Sequence, residues 1–415
     1  MKYALLLLVA AARLPGKDSC LECHSQMAGD LQAPAVAFRS SVHLQHGFTC
    51  AACHGGDPNS DDPESSMSKA RGFVGVPPRT AVPKLCARCH SDPNFMRKYN
   101  PSERVDQDAE YETSVHGHRL AKGDVRVATC IDCHGVHDIR AARDPLSPVY
   151  PLNLPKTCAQ CHADAAHMAP YKIPTDQYAN YLKSVHWEEL SKRGDLSAPN
   201  CATCHGNHGA KPPAVSSVAA VCGTCHVFEE QLFDKSPHEP VFSAMSTGAC
   251  VVCHSNHAIL KTSDQLLGGK NAVCRECHDP DSAGGKTAAQ AAGLIQDLQD
   301  RIVAADAILE QARASGMEVS EAILRQTDAR QNLVKSRANV HAFAIQAVSQ
   351  PVQAGVAVAA EDYRAGEAAL KERKIRRMGL GISLVAILVT MAGLWLIIRG
   401  LHGPRTESTT PSGAS

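Results

Sequence analysis

The chain has 415 residues, and its 42 lysine and arginine side chains are balanced by 42 aspartate and glutamate side chains. This balance excludes the basic excess with which nucleic-acid-binding proteins attract phosphates. Only 4% of the residues are aromatic, so the sequence is short of the large side chains that commonly fill protein cores.

The chain begins with a segment that predicts a short secretory signal over residues 1–16. One lysine precedes an apolar run from Ala4 to Ala12, and the small residues Ala10, Ala11 and Ala12 offer a cleavage point. We therefore expect the rest of the chain to be exported.

Eighteen cysteines follow, and together they form nine Cys-x-x-Cys-His motifs with no thiol left over. This is the attachment signature of c-type haem, in which two thiols bond to the vinyl groups and the histidine binds the iron. The predicted thioether cysteines are Cys20, Cys23, Cys50, Cys53, Cys86, Cys89, Cys130, Cys133, Cys158, Cys161, Cys201, Cys204, Cys222, Cys225, Cys250, Cys253, Cys274 and Cys277. The predicted proximal iron ligands are His24, His54, His90, His134, His162, His205, His226, His254 and His278. The sequence thus predicts nine covalently bound haem c groups.

Two other uses of cysteine fit this pattern poorly. A disulfide framework would not place a histidine after every second cysteine. Structural zinc needs four ligands and has no use for a histidine directly after each pair.

The motif region is too short to build a separate protein core around each haem, so the haems must form much of the core and lie close together. Covalent haem attachment outside the cytoplasmic membrane agrees with the predicted signal.

The motifs alternate in kind, which predicts a repeat of two haems. Each even-numbered motif is preceded by Ser-x-His, and three of the four are followed by a further histidine. We name the four resulting units repeats 1 to 4; they run from Cys20 to His54, from Cys86 to His137, from Cys158 to His208 and from Cys222 to His257. Repeat 1 lacks the trailing histidine, and His46 is its substitute.

Position in the repeat predicts the second, distal ligand of each iron. The candidates are His43, His46, His116, His137, His186, His208, His238 and His257. The ninth motif has no partner motif, but His341 follows it in a place where Ser-x-His is expected. The alternative for each of these residues is a solvated or otherwise satisfied side chain. Because a trailing histidine can bind a stacked neighbour, the sequence does not assign each distal histidine to a haem.

The haem region resembles the doubled-CXXCH family of multihaem cytochromes c, most clearly in SPHEPVFSAMSTGACVVCHSNH. The resemblance implies short helices and irregular chain around stacked haems, two histidines on each iron, and electron transfer. Repeat 1 departs from the family pattern. Connecting segments rich in Pro, Gly, Asp and Ser predict loops, and long β-alternation is absent. We expect a mostly α and irregular fold, with the haem domain over residues 17–282.

Residues 283–377 predict a helical bundle or a dimerising coiled coil. A heptad stripe on the first helix consists of Ala291, Ile295, Leu298, Ile302, Ala305, Leu309 and Ala312. Gly316 is the predicted C-cap, and Ser320 starts the second helix. The predicted stripe of the second helix is Val334, Ala338, His341, Ile345 and Val348. Pro351 is expected to break the helix, and the third stripe is Val356, Ala359, Tyr363 and Leu370.

The stretch from Met378 to Ile398 carries no charge, which predicts a C-terminal transmembrane helix over residues 378–399, followed by a short polar tail over 400–415. The basic residues before the span are Lys371, Arg373, Lys374, Arg376 and Arg377, whereas Arg399 and Arg405 follow it. This charge bias alone would place the haem region in the cytoplasm. Since haem is attached outside the cytoplasmic membrane, we instead expect the haem region on the periplasmic face.

Two functions remain open at this stage. The first is an electron carrier between a membrane quinol-oxidising partner and a periplasmic or outer-surface acceptor, because an iron with two histidines has no free coordination position. The second is a reductase or oxidoreductase of a small nitrogen or sulfur compound, which needs one open iron. Repeat 1 and His341 are the assignments that leave room for this alternative. A haem-based sensor would need an output domain, which the sequence does not contain.

Overall fold

The computed structural model describes residues 17–213, 218–401 and 403. The predicted signal and nearly all of the polar tail lie outside these residues. Within them the chain is helical or irregular and contains no strand, which confirms the predicted fold class. The chain divides into two compact units. The first comprises the residues up to Cys225 with Phe242–Lys261, and the second comprises His226–Val241 with the residues from Thr262 onward. The predicted domain boundary at residue 282 stays a prediction.

The haem-motif region is built from helices of four to nine residues. In chain order they are α1 Ser19–Ser25, α2 Gln32–Phe38, α3 Val42–Gln45, α4 Ala51–His54, α5 Pro63–Ser66, α6 Val82–His90, α7 Pro93–Met96, α8 Gln107–Thr113, α9 Val115–Ala121, α10 Cys130–His134, α11 Leu154–His162, α12 Ala165–Met168, α13 Gln177–Tyr181, α14 Val185–Lys192, α15 Cys201–His205, α16 Val218–Gly223, α17 Val227–Asp234, α18 Glu239–Ala244 and α19 Ala249–His254. Short 3-10 turns lie at Gly29–Leu31, Lys69–Arg71, Arg79–Ala81, Ala169–Tyr171, Asp264–Leu266 and Val273–Glu276.

Two kinds of helix carry the motifs of repeats 2 and 3. The odd-numbered motifs lie at the ends of α6 and α11, which both have proline in their first turn, where the missing amide costs nothing. The even-numbered motifs form α10 and α15, which begin at the first cysteine and carry capping boxes at Thr129 and Asn200. The two-haem repeat of the sequence is therefore also a repeat of local structure.

The second compact unit contains a three-helix bundle of α20 (Ala283–Ala314), α21 (Ser320–Ala338) and α22 (Ile345–Leu401), in which each helix packs on the other two. All seven residues of the predicted stripe on the first helix are buried, which confirms the heptad. The C-cap of α20 is Ser315, one residue before the predicted Gly316, which follows it in the left-handed conformation at φ 77°. Helix α21 starts at Ser320 as predicted.

The predicted stripe of the second helix is wrong. Helix α21 buries Ala322, Gln326, Ala329, Leu333 and Ser336. Val334 is 64% exposed. The predicted stripe ran on through His341, but α21 ends at Ala338 and the chain turns through a 3-10 segment at Asn339–Ala342. A heptad cannot be extended across that turn.

The third helix also differs from the prediction. Helix α22 buries Val348, Pro351, Val352, Gly355, Ala359, Asp362, Gly366 and Ala369. Of the predicted third stripe only Ala359 is buried, and Tyr363 is 38% exposed. The true stripe starts earlier because Val348 and Val352 belong to this helix.

Pro351 does not break the helix, contrary to the prediction. Proline lacks the amide that would bond to the carbonyl four residues earlier, which here is the carbonyl of Ala347. The side-chain amide of Asn339 donates to that carbonyl oxygen at 2.7 Å. Asn339 thereby replaces the missing backbone donor, and α22 continues through Pro351.

The bundle core contains polar side chains. Asp362 is fully buried and accepts a hydrogen bond of 2.7 Å from Nε of Arg325. Burial raises the pKa of Asp362, and Arg325 opposes this shift. Gln326 is also fully buried, and neither its Nε2 nor its Oε1 has a hydrogen-bond partner. A buried polar group without a hydrogen-bond partner lowers the free energy of unfolding.

Replacing Gln326 by leucine is expected to stabilise the bundle. Leucine has a similar volume and removes two unsatisfied polar atoms from the core, which should raise the free energy of unfolding by about 1–3 kcal/mol. Thermal unfolding followed by circular dichroism measures this change. Gln331→Leu is the matched control, since Gln331 is exposed on the same helix and its replacement should leave the midpoint unchanged. A lower midpoint for Gln326→Leu would contradict the prediction.

The C-terminal part of α22 is long and apolar enough to cross a membrane. Its large side chains, from Met378 to Leu401, are exposed in this structure. The guanidinium of Arg399 lies 5.1 Å from the ring centre of Trp395, so a basic and an aromatic side chain mark the end of the apolar stretch, as they often do at a membrane surface.

Candidate haem sites

Six pairs of histidine rings in the described residues share one separation. Their ring centres lie 5.9–6.2 Å apart. An imidazole nitrogen binds a transition metal at about 2 Å, so two rings on opposite sides of one metal ion have centres about 6 Å apart. Each pair joins a motif histidine to a histidine outside the motifs. The residues present therefore fit an iron held between the two rings.

Three pairs contain an even-numbered motif histidine and a trailing histidine. They are His54 with His137, His134 with His208, and His205 with His257. The two rings are nearly parallel, with interplanar angles of 16°, 10° and 12° respectively. In each case the trailing histidine belongs to the repeat that follows the motif in sequence.

The other three pairs contain an odd-numbered motif histidine and the histidine of Ser-x-His. They are His90 with His43, His162 with His116, and His278 with His238. Their rings are steeply inclined, with interplanar angles of 83°, 61° and 79° respectively. Here the Ser-x-His comes from the segment before the motif. The candidate ligands are thus exchanged between neighbouring repeats in both directions.

The serine of Ser-x-His explains how the histidine is positioned. Ser41, Ser114 and Ser184 are buried N-caps, and each side-chain oxygen accepts a hydrogen bond from a first-turn amide of the following helix. In the fourth copy Ser236 accepts from the amide of His238 at 3.2 Å. An N-cap fixes the direction in which a helix starts, so the serine sets the position of a histidine in the first turn.

A backbone hydrogen bond connects each of the first three Ser-x-His segments to the next repeat. The amide of Val42 donates to the carbonyl of Ile139, that of Val115 to Ala210, and that of Val185 to Ile259, at 2.8, 3.1 and 2.9 Å. Each accepting residue lies two positions after a trailing histidine. The fourth copy has Pro237 at this position and so has no amide to donate. The bond therefore links the segments that supply distal ligands.

Replacing Val185 by proline should weaken the link between repeats 3 and 4 without damaging α14. Proline is favoured at the first helical position, and the φ of −75° and ψ of 155° at Ser184 suit a residue before proline. Loss of the bond to Ile259 should lower the free energy of unfolding by about 1 kcal/mol. Denaturant unfolding followed at the Soret band of the holoprotein measures it. Val115→Ala is the control, because it shortens the side chain of an equivalent residue but keeps the backbone amide. It should lower the free energy of unfolding by less than Val185→Pro does.

Thiols of consecutive motifs lie close enough to influence one another. Burial raises the pKa of the Cys50 thiol to about 12, with contributions from Asp18 and Cys20. The pKa of Cys86 is raised by the neighbouring thiol of Cys130, and that of Cys158 by the thiol of Cys201. These contacts unite the odd and even motif within repeats 1, 2 and 3.

Contacts between thiols also cross from one repeat to the next. Burial, opposed by Arg88, raises the pKa of Cys53, and Cys89 adds to the shift. Burial raises the pKa of Cys133 to about 12, followed by the effect of Cys158. Cys204 is influenced in the same way by Cys222 after burial. The first seven motifs are therefore neighbours in the order in which they occur in the sequence.

The comparisons with known proteins agree with this geometry. The family model described as Cytochrome c3 matches residues 42–163 and 195–279. Together with the nine motifs and the ring pairs, this match decides the family. The chain is a multihaem cytochrome c. It binds haem c covalently and transfers electrons. No curated protein and no solved structure matches the chain.

The motif histidines of this cytochrome are set up as neutral ligands. Nδ1 of His54 lies 2.8 Å from the carbonyl of Gly75, and Nδ1 of His205 lies 3.2 Å from that of Lys211. Since a carbonyl only accepts, Nδ1 carries the proton and Nε2 is left for the iron. Burial lowers the pKa of His134 to about 4, with His208 adding to the shift. A neutral imidazole is the form that binds a metal.

A carboxylate that the sequence analysis does not identify holds the fourth motif of the cytochrome in place. Asp132, inside the fourth motif, accepts hydrogen bonds from the Thr129 amide and hydroxyl and one of 2.6 Å from Arg79. Burial opposes ionisation, but these bonds outweigh it and lower the pKa of Asp132. Thr-x-x-Asp is a capping-box pattern, so its role at the helix start was readable from the sequence.

Some predicted ligands of the cytochrome are not brought opposite a motif histidine in the described pairs. His46 lies with its ring centre 5.5 Å from that of Tyr99. Nδ1 of His341 lies 2.8 Å from the carbonyl of Ala338. His186 and His341 stay predictions. His118 and His167 are also outside these pairs. Structural zinc needs four converging ligands, and no group of three or more is found in residues 17–213, 218–401 and 403.

The two ring arrangements predict two classes of ferric haem in the electron paramagnetic resonance spectrum. Parallel imidazole planes donate into the same iron orbital and give rhombic signals, whereas inclined planes leave two iron orbitals nearly equal in energy and give strongly anisotropic signals. We expect both signals from the oxidised holoprotein. His137→Ala should reduce the rhombic class, and His116→Ala the anisotropic class. A spectrum with a single class would contradict the assignment.

Proposed function

We propose that this cytochrome is a membrane-anchored carrier that relays single electrons through nine haem c groups. The donor is a quinol-oxidising membrane protein, and the acceptor is a periplasmic or outer-surface protein. Bound haem supplies an iron that changes charge by one electron. At each of the six paired sites the chain would supply two imidazoles to the iron, which would close its coordination positions and favour electron transfer over substrate binding.

The observation that carries this proposal is the set of six histidine pairs at the separation of one bound metal. Each pair would hold one iron between its two imidazoles. The thiol contacts between consecutive motifs support the relay of electrons from haem to haem. Attached haems would lie against their cysteines, so haems on neighbouring motifs would also lie close to each other. Such a row of haems would permit successive short electron transfers from one end of the row to the other.

The membrane anchor is supported by the apolar end of α22. Its side chains are exposed over a length that crosses a bilayer. An extracytoplasmic position of the haem region follows from the chemistry of covalent haem attachment and from the predicted signal. The periplasmic face of the cytoplasmic membrane is therefore the proposed location.

The haem count and the electron count test the proposal together. A pyridine haemochrome assay of the purified full-length protein should give nine haems per chain, and a reductive titration should take up one electron per haem. Six or fewer haems would contradict the motif assignment. Haems that are present but do not exchange electrons with a quinol-linked membrane fraction would contradict the carrier function.

A pair of truncations tests the anchor. A chain that ends at Arg377 should move from the membrane fraction to the soluble periplasmic fraction and keep its haems. The control ends at Leu401, loses only the polar tail and should stay in the membrane. Protease added outside spheroplasts should digest the haem region of the full-length chain. Protection of the haem region would contradict the proposed side of the membrane.

A further inference from the structure

The site of the first motif has a complete proximal side. Nδ1 of His24 lies 3.2 Å from the carbonyl oxygen of Leu31, which leaves Nε2 for the iron, as at His54. Helix α2 packs on α1, and the side-chain amide of Gln32 donates to the carbonyl of Ser25 at 3.0 Å. His24 is thus oriented as a ligand in the same way as other motif histidines.

The opposite side of this site has no second histidine. Among the described residues no imidazole lies across from His24 at the separation that the six pairs share. His46, the candidate from repeat 1, is placed beside Tyr99, and its charge acts on His43. Outside the described residues the sequence contains a single histidine, His402, which follows the apolar end of α22.

The turn that follows the first motif is exposed. The amide of Met27 donates to the carbonyl of His24 at 3.3 Å, so the two residues belong to one turn. Residues 26–31 are exposed, so a small solute can reach the edge of this site.

The first site is firmly connected to the second. Asp18 accepts hydrogen bonds from the amide of Leu21 at 3.2 Å and from the amide of Cys50 at 3.0 Å. Its carboxylate is buried and joins the two motif helices. Cys20 and Cys50 also interact electrostatically. An iron at the first motif would therefore be in a position to exchange electrons with the haem of the second motif.

We propose that the haem of Cys20, Cys23 and His24 keeps its sixth coordination position for a small external molecule. The ligand class is a neutral or anionic molecule that binds iron end-on through one lone pair, for which carbon monoxide is the probe. The inference rests on the proposed function, because it takes haem to be attached at this motif. The six paired sites are closed, so this site differs from them in kind.

A carbon monoxide titration of the dithionite-reduced, full-length holoprotein tests the inference. The wild type should bind about one more molecule per chain than Cys20→Ala/Cys23→Ala, which should lose one haem in the pyridine haemochrome assay. His46→Ala is the control and should bind the same amount as the wild type. A gain of one molecule in His46→Ala would show that His46 closes the first iron and would overturn the inference.

A second variant covers the case in which the double substitution loses more than one haem. His24→Cys would place a thiolate opposite the bound carbon monoxide and shift the Soret band of that complex to longer wavelength. An unshifted band, or a wild type with its full haem count that binds no carbon monoxide, would overturn the inference and leave the carrier function intact. A chain without covalent haem would refute the proposed function itself.

Discussion

Replacing His208 by alanine is expected to convert one low-spin haem into a high-spin haem. The rings of His208 and His134 have centres 6.1 Å apart and lie at 10° to each other, so His208 is the candidate second ligand of the fourth haem. Its Nδ1 lies 3.7 Å from a carboxylate oxygen of Glu110. Without this imidazole the iron has an open position, and the optical spectrum of the ferric protein should gain a high-spin band of about one haem per chain.

The same variant should bind about one additional molecule of carbon monoxide after reduction. His118→Ala is the matched control, because His118 is exposed and follows the Ser-x-His of repeat 2 closely in sequence. Its spectrum should equal that of the wild type. An unchanged spectrum for His208→Ala would refute the pairing of His208 with His134.

Gly117→Ala is expected to disrupt the ligand beside it. Gly117 is buried in α9 directly after His116, and an added Cβ would lie 2.0 Å from the carbonyl oxygen of Tyr111. Backbone atoms cannot yield as a flexible side chain can, so α9 must shift away from its position. We expect a loss of about 3 kcal/mol in the free energy of unfolding and a high-spin signal from the fifth haem, whose His162 faces His116.

Gly293→Ala is the control for this substitution. Gly293 lies on the exposed face of α20 with nothing near an added Cβ, so alanine should stabilise that helix by about 1 kcal/mol. Thermal unfolding and the optical spectrum together measure both variants. Wild-type stability and a low-spin spectrum for Gly117→Ala would show that the contact with Tyr111 does not hold His116.

The sequence predicted the covalent sites and the repeat because each is a local pattern. The Cys-x-x-Cys-His spacing is contained in five residues, and the heptad of α20 lies in one uninterrupted helix whose stripe is buried as predicted. The bond from Asn339 to Ala347 shows where local reading fails. A side chain from a preceding turn satisfies the carbonyl that Pro351 leaves unpaired, and no rule based on neighbouring residues anticipates it.

The pairing of distal and proximal histidines was not readable for a related reason. His137 lies next to its own motif histidine, His134, in sequence, but its ring faces His54 of the preceding repeat. Proximity along the chain therefore points to the wrong partner. The pairing follows from how the repeats pack, and repeat 1 was hard to interpret because its pattern lacks a trailing histidine.

The exchange of ligands between repeats has a consequence for how the protein matures. A chain emerges from its amino terminus first, so the second motif would reach the side of the membrane where haem is attached before His137 does. A haem attached at the second, fourth or sixth motif would therefore lack its second imidazole until the following repeat arrives. In an interrupted chain, the last of these haems would stay accessible to solvent and to oxidants.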